Sequence, residues 1–355
     1  MKVVSPLLKR VVYPGLSRMG YLRSRNGAGP IVLTYHGVLP EGYQPIGSHL
    51  DGNLVTADQF RDQLRFLKTH YQIISPDDFR DHCQGKRSLP ARAVLITCDD
   101  GLKNNVTAML PILWGEHLKC LFFVTQVAQP GQEAMLWHEQ LHLQLLGANN
   151  QVAITLPEIG AFHATRKVAL RSSWPVLVER LSMFGREERE NLIGEISRQL
   201  GHYGLPYSAD SGWYERFWTL NQNEVRQLAD AGMAIGAHTD SHPKLSRLST
   251  ELAKREMAEN RSQLETILGR EVWALAYPFG DAGSVSRREL ALAEQCGFTC
   301  AFMNSEISPA AAQSRFALPR VHLTADTSLP ELEARISGFH SSLKTALHGL
   351  QAKFA

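Results

Sequence analysis

The feature that most constrains the fold of this 355-residue chain is a repeated alternation between short β-rich runs and amphipathic helical stretches. Eight runs have strand character, namely 31–35, 72–75, 93–98, 121–124, 234–237, 272–276, 299–303 and 317–322. Alternation of this length is typical of a parallel sheet with helices on its outside. Seven or eight repeats favour closure of this sheet into a (β/α) barrel of about seven strands.

The alternation is interrupted between about 130 and 218, where the apolar spacing predicts a mostly helical insertion. The barrel with this insertion is expected to span 30–325. A basic N-terminal arm at 1–29 precedes it, and a peripheral C-terminal helix at 326–355 follows it. Insertions in barrels commonly form binding loops, so this one is expected to shape a cleft.

Composition narrows the class of protein. Hydrophobic residues make up 44% and charged residues 20%, which predicts a packed globular core. The net charge of +2 does not favour a nucleic-acid partner. No run of 18 apolar residues predicts a transmembrane helix. The five cysteines are odd in number and none has C-x-x-C spacing, which favours a reducing compartment and a cytoplasmic location.

The N-terminal arm carries six lysine and arginine residues within 1–25, and no acid precedes Glu41. Its apolar stretches are too short and too interrupted for a secretory signal. Two interpretations stay open. The arm is either a flexible or outer element of the fold, or a peripheral contact with anionic lipid.

Two polar clusters follow predicted strands. Asp99-Asp100-Gly101 follows 93–98, and His238-Thr239-Asp240-Ser241-His242-Pro243 follows 234–237. Adjacent buried carboxylates are costly unless a cation satisfies them, and two histidines four apart can meet one ion. A mixed nitrogen and oxygen set suits a divalent metal such as zinc. The alternatives are a helix cap for the aspartates and a surface pair for the histidines.

These clusters resemble the first two motifs of the NodB-type polysaccharide deacetylases. Tyr35-His36-Gly37-Val38 and Ala276-Tyr277-Pro278-Phe279-Gly280 are also similar to members of that family. The resemblance covers about 30–322 without the insertion. It implies a distorted (β/α) barrel and metal-dependent removal of N-acetyl, or sometimes O-acetyl, groups from sugars. It further implies that Asp99 is the catalytic base and that Asp100, His238 and His242 are the metal ligands.

The sequence departs from the family pattern at the supporting residues. Leu275 and Ala276 stand where the third motif often has an arginine, and no fourth motif follows Gly280. Arg320 and His322 would share one face of the last strand. If that face points inward, His322 could be the catalytic acid and Arg320 could orient Asp99; otherwise they lie on a solvated edge.

Other candidates complete the predicted site and its substrate. His36, Tyr277 and Pro278 are candidate substrate-binding residues, although His36 could equally make a structural hydrogen bond. The expected partner is an N-acetylated sugar. A cytoplasmic location favours a precursor, such as a lipid-linked sugar, over a mature cell-wall polymer.

A competing motif lies in the insertion. His138-Glu139-Gln140-Leu141-His142 matches the H-E-x-x-H signature of zinc proteases. No pattern downstream marks a third ligand, so a protease is a minor alternative. Two further alternatives are a metal-dependent hydrolase of a non-sugar amide and a sugar-binding protein without catalysis.

Overall fold

The computed structural model describes residues 6–24, 29–129, 132–147, 152–157, 160–164, 174–201, 211–306, 314–343 and 346. Its strands are β1 Ile31–Tyr35, β2 Gln72–Ile73, β3 Ala93–Cys98, β4 Leu121–Val124, β5 Val152–Leu156, β6 Gly160–Ala164, β7 Ala234–Ala237, β8 Ala274–Ala276, β9 Cys300–Phe302 and β10 Val321–His322. All strands except the β5–β6 pair belong to one parallel sheet.

The strand order is β10-β1-β3-β4-β7-β8-β9, with β2 paired to the start of β3. The chain leading into β10 also pairs with β9, because Met303 N–H donates to Leu318 O at 2.8 Å and Leu318 N–H donates to Ala301 O at 3.0 Å. Residues 314–322 therefore connect the two ends of the sheet. The predicted barrel of about seven parallel strands is confirmed.

The helices follow their sequence signals closely. They are α1 Tyr13–Arg18, α2 Tyr21–Ser24, α3 Ser48–Asp51, α4 Ala57–His70, α5 Pro76–Cys83, α6 Leu110–Gly115, α7 Trp137–Leu146, α8 Trp174–Leu181, α9 Arg186–Gln199, α10 Ser211–Phe217, α11 Gln222–Asp230, α12 Thr250–Leu268, α13 Arg287–Gln295 and α14 Leu329–Ile336. Thr56 and Asn221 cap α4 and α11 with capping boxes. A π-helix at Asn105–Met109 continues into α6.

The main core lies between the sheet and its surrounding helices. Every residue of β3 and β4 is buried, as expected for strands covered on both faces. On the helix side, Phe60, Leu64 and Leu67 of α4 are fully buried. This packing fixes the carboxyl ends of the strands, where the loops that carry the polar clusters begin.

The insertion between β4 and β7 has its own apolar cluster, which includes Trp137, Leu141 and Leu181. It contains α7 to α10 and an antiparallel β5–β6 hairpin that the helical prediction did not include, although three of the five residues at 152–156 are β-branched, as is typical of strands. Several hydrogen bonds tie it to the 238–243 turn. Among them, Trp137 Nε1–H donates to His242 O at 2.9 Å, and Arg189 donates to Ser241 O at 2.8 Å.

The two ends of the chain pack together. A π-helical turn at Leu8–Val12 continues into α1, and both α1 and α2 lie against α14. Tyr13 and Leu22 are buried there, and Lys9 pairs with Glu331 at 2.9 Å. Residues 1–5 of the predicted arm and most of 344–355 lie outside the described residues. Among the described helices, none is both long and apolar enough to span a bilayer.

Candidate active site

A cavity of about 270 Å³ opens at the carboxyl ends of the strands. Loops after β1, β3, β7, β8 and β9 all contribute to its wall, as expected for a parallel barrel. From these loops the lining residues are His36, Asp99, Asp100, Leu102, His238, His242, Tyr277, Phe279, Asp281 and Asn304. The cavity therefore brings together two polar clusters that are far apart in the sequence.

Three side chains in this cavity form a compact candidate ligand set for a metal ion. The Nε2 atoms of His238 and His242 each lie 3.4 Å from Asp100 Oδ1, and all three residues are buried. The three ligand atoms lie within 4.8 Å of one another. Such a set of one carboxylate and two imidazoles fits a zinc-like ion with an open coordination position.

The hydrogen bonds around His238 hold its ring in an orientation that suits metal binding. Its Nδ1 lies 2.7 Å from Ala276 O, so Nδ1 carries the proton and donates a hydrogen bond to that carbonyl, which leaves Nε2 as the atom available to a metal ion. The backbone N–H of His238 donates to Asn260 Oδ1 at 2.9 Å, which fixes the start of the turn. The donor set and its supporting bonds therefore fit a divalent metal.

The turns that carry these ligands have unusual backbone conformations. Asp100, His242 and Phe279 have φ values of 77°, 53° and 61°, in the left-handed region that non-glycine residues rarely adopt. At Gly101, with φ of 67°, an added Cβ would lie 2.9 Å from Val124 Cγ1. Such strain is retained where the surrounding packing over-determines the backbone, as it commonly does at functional sites.

Asp99 faces the same cavity but pairs with an arginine. Arg320 Nη1 and Nη2 donate to the two Asp99 carboxylate oxygens at 2.6 Å each, and both side chains are buried. Burial alone would raise the pKa of Asp99, but the Arg320 guanidinium and the His238 ring outweigh burial and lower it. Asp99 is thus held as a carboxylate beside the ligand set.

His36 and His322 lie next to each other, with ring centroids 4.6 Å apart. His36 lines the cavity, whereas His322 is not among the residues that line it. Burial and the neighbouring His36 lower the pKa of His322 well below its usual value. His322 is therefore a neutral ring that supports His36 from behind, and His36 is the imidazole that faces the site.

Of the two remaining predicted substrate-binding residues, Tyr277 and Pro278, only the first lines the cavity. Tyr277 lines the cavity, but its hydroxyl donates to Phe316 O at 3.0 Å and its side chain is buried. Pro278 is not among the lining residues. Sequence reasoning missed His49, Trp174 and Asn304, which do line the cavity. Only Asn304 had a usable signal, because it follows a predicted strand.

The competing H-E-x-x-H motif lies on α7, and His138 and Glu139 line the same cavity. Glu139 Oε1 accepts from Arg216 Nη2 at 2.8 Å, so this carboxylate is already paired. Burial lowers the pKa of His138 to about 3 and that of His142 to about 4. Within the described residues, Asp100, His238 and His242 form the one cluster of three such side chains that could hold a metal.

Fold and site together define a class of protein: a barrel-like parallel α/β fold with an Asp-His-His set and a separate arginine-paired aspartate at the strand ends. Residues 202–301 match the family model for polysaccharide deacetylase. YxkH of Bacillus subtilis strain 168, a protein assigned to the polysaccharide deacetylases, is 23% identical over 109 residues. That match spans 31% of this chain and 38% of the relative.

Solved structures agree with this family at the level of the fold. The deacetylase PplD of Streptococcus pyogenes superposes with a TM-score of 0.53 at 16% identity, over 86% of this chain and 97% of that one. IcaB of Ammonifex degensii gives 0.52 at 18% identity, over 88% and 98%. The predicted resemblance to the NodB-type polysaccharide deacetylases is confirmed.

Proposed function

We propose that this protein is a metal-dependent hydrolase that removes the acetyl group from an N-acetylated sugar. The observation that carries the proposal is the juxtaposition of two groups in one cavity. One is the buried Asp100-His238-His242 set, and the other is the Asp99 carboxylate paired with Arg320. The polysaccharide deacetylase family match supports the sugar substrate.

Each group has a distinct proposed role. A divalent ion, with zinc as the proposed metal, would supply Lewis acidity at the acetamide carbonyl when bound to Asp100, His238 and His242. Asp99 accepts a proton from the attacking water as general base, and Arg320 is a positioning residue that fixes its two oxygens. His36, which lines the cavity, donates a proton to the leaving amine in place of His322.

The direct test is acetate release from a panel of N-acetylated monosaccharides and oligosaccharides, measured together with the metal content of the purified protein. We expect about one zinc or similar ion per chain. The variant His238→Ala lacks Nε2, one of the three proposed ligand atoms. This variant should lose both the metal and acetate release, because two ligands hold an ion poorly.

The matched control for this test is His322→Ala, which removes a nearby imidazole outside the ligand set and should retain the metal. A metal retained by His238→Ala would overturn the proposed ligand set. A bound metal without acetate release from any sugar would favour a non-sugar amide or a sugar-binding role.

We also propose that the N-terminal helices contact an anionic membrane surface. Four of the seven exposed large hydrophobic residues in the described chain lie here: Leu7 is 61% exposed, Val11 59%, Met19 73% and Tyr21 45%. Arg10 and Arg18 are exposed beside them. The buried side of the segment is held to α14, so its outer side combines apolar and cationic groups, as interfacial helices do.

Co-sedimentation with vesicles tests this membrane surface. The wild type should sediment with phosphatidylglycerol-containing vesicles, and it should sediment less in high salt because salt screens the charge attraction. It should not sediment with phosphatidylcholine alone, because that lipid is not anionic. The triple variant Leu7→Ser/Val11→Ser/Met19→Ser should lose sedimentation. Trp114→Ser, which removes a 71% exposed hydrophobic residue elsewhere, should retain it. Equal sedimentation of all variants, or dimerisation through this face, would contradict the proposal.

The proposed location is cytoplasmic, at the membrane surface. A lipid-linked precursor sugar is the proposed substrate, because such a substrate would be found at that surface. All five cysteines are free thiols, which supports a reducing compartment. Fractionation of cells that produce the protein would test the location, since recovery in the external medium would exclude it.

A further inference from the structure

The H-E-x-x-H motif is not used by the proposed hydrolysis, yet part of it lies in the cavity. The first turn of α7 places His138 and Glu139 in the cavity wall, while His142 is not among the lining residues. The His138 ring lies 5.1 Å from the ring of the ligand His242. The insertion thus contributes a carboxylate close to the ligand set.

Glu139 is buried, with 7% of its surface exposed, and its two oxygens differ. Oε1 accepts from Arg216 Nη2 at 2.8 Å, whereas Oε2 is buried without a hydrogen-bond partner among the described residues. An unsatisfied buried carboxylate oxygen costs free energy unless something else binds it. Since Glu139 lines a cavity, a ligand in that cavity is the available partner.

Arg216 holds Glu139 in a fixed position. Its Nε donates to Asp51 Oδ1 at 2.9 Å, and its side chain is completely buried. One guanidinium therefore joins α3, which follows β1, to α7 of the insertion. A carboxylate supported in this way cannot turn freely toward a second partner within the protein.

The surroundings of Glu139 fit a sugar ring. Trp174 from α8 and Phe279 from the β8 loop line the same cavity and provide apolar surfaces, while His49 and Asn304 provide polar groups. Pockets for small polar ligands combine such apolar walls with a few fixed polar groups. Burial also raises the pKa of Glu139 to about 7, and either protonation state can hydrogen-bond a hydroxyl group.

We infer that Glu139 is a substrate-binding residue whose Oε2 accepts a hydrogen bond from a hydroxyl group of the sugar that carries the acetamide. This inference rests on the proposed function, because it places the sugar in the same cavity as the ligand set. It gives the insertion a specific role: α7 selects the sugar, and the barrel loops carry out the hydrolysis.

The test compares Glu139→Ala with Asp51→Ala. Each variant removes one carboxylate partner of Arg216, but only Glu139 lines the cavity. Inhibition by glucosamine and inhibition by acetate are measured for both, with the metal content and melting temperature. Glu139→Ala should weaken glucosamine inhibition by about tenfold or more, the loss expected for a hydrogen bond to a charged group. Acetate inhibition and metal content should not change.

Asp51→Ala should lower the melting temperature as Glu139→Ala does, but leave glucosamine inhibition unchanged. If either alanine variant fails to fold, Glu139→Gln and Asp51→Asn replace the pair. Equal glucosamine inhibition in wild type and Glu139→Ala, or equal weakening in both variants, overturns the inference.

The experiments can exclude the proposed hydrolysis and the proposed role of Glu139 independently of each other. If the wild type releases no acetate, the proposed hydrolysis fails, and glucosamine binding measured by calorimetry still decides whether Glu139 binds a sugar. If the wild type is active and the variants bind glucosamine alike, only the role of Glu139 is excluded.

Discussion

Replacement of Asp99 by asparagine is expected to lower kcat for acetate release by about 10²–10⁴-fold, the usual contribution of a general base. Asparagine keeps the shape of the side chain but cannot accept the proton from water. Because Asp99 is outside the Asp100-His238-His242 set, the metal content of the variant should equal that of the wild type. Parallel measurement of kcat and metal content checks both parts.

Two further variants serve as comparisons for Asp99→Asn. His36→Gln should also lose activity while retaining the metal, since the imidazole that lines the cavity is the proposed proton donor. His322→Gln should retain most activity, because His322 packs behind His36. Near-wild-type kcat in Asp99→Asn would exclude the proposed base, and the reverse order of the two histidine variants would return the acid role to His322.

Replacement of Arg320 by methionine is expected to lower the free energy of unfolding by about 3–5 kcal/mol, the cost of leaving one partner of a buried ion pair without the other. Arg320 is 1% exposed and both of its Nη atoms bind Asp99. Without the guanidinium, burial is left to raise the pKa of Asp99. The acidic limb of the activity profile should therefore move to higher pH. Chemical denaturation and a pH profile of kcat/KM measure these effects.

Two controls separate the charge of Arg320 from its geometry. Arg320→Lys keeps the charge but not the two parallel hydrogen bonds, so its stability should lie between those of wild type and Arg320→Met. The double variant Arg320→Met/Asp99→Asn should recover part of the lost stability, because no buried carboxylate remains unpaired. A double variant as unstable as the sum of the two single variants would contradict a direct pairing.

The strand ends that line the cavity are predictable because they depend on local signals. The apolar run at 93–98 and the run at 234–237 predict buried parallel strands, and side chains at the carboxyl ends of such strands converge in a barrel. The Asp-Asp and His-x-x-x-His clusters are therefore expected to meet at one edge of the sheet. The period of two along the predicted strand at 317–322 likewise places Arg320 and His322 on one face, although it does not determine which way that face points.

The sequence by itself determined the alternating strands and helices, and the loops on which the ligand set would lie, since those follow from periodicity and the order of elements. Only the tertiary structure decided that Arg320 reaches Asp99, that His36 rather than His322 faces the cavity, and that Glu139 joins the same wall. These contacts link residues separated by tens to hundreds of positions, such as Asp51 with Arg216 and Asp99 with Arg320. Closure of the barrel brings Arg320 to Asp99, and packing of the insertion against the barrel brings Arg216 to Asp51. No local sequence pattern records either event.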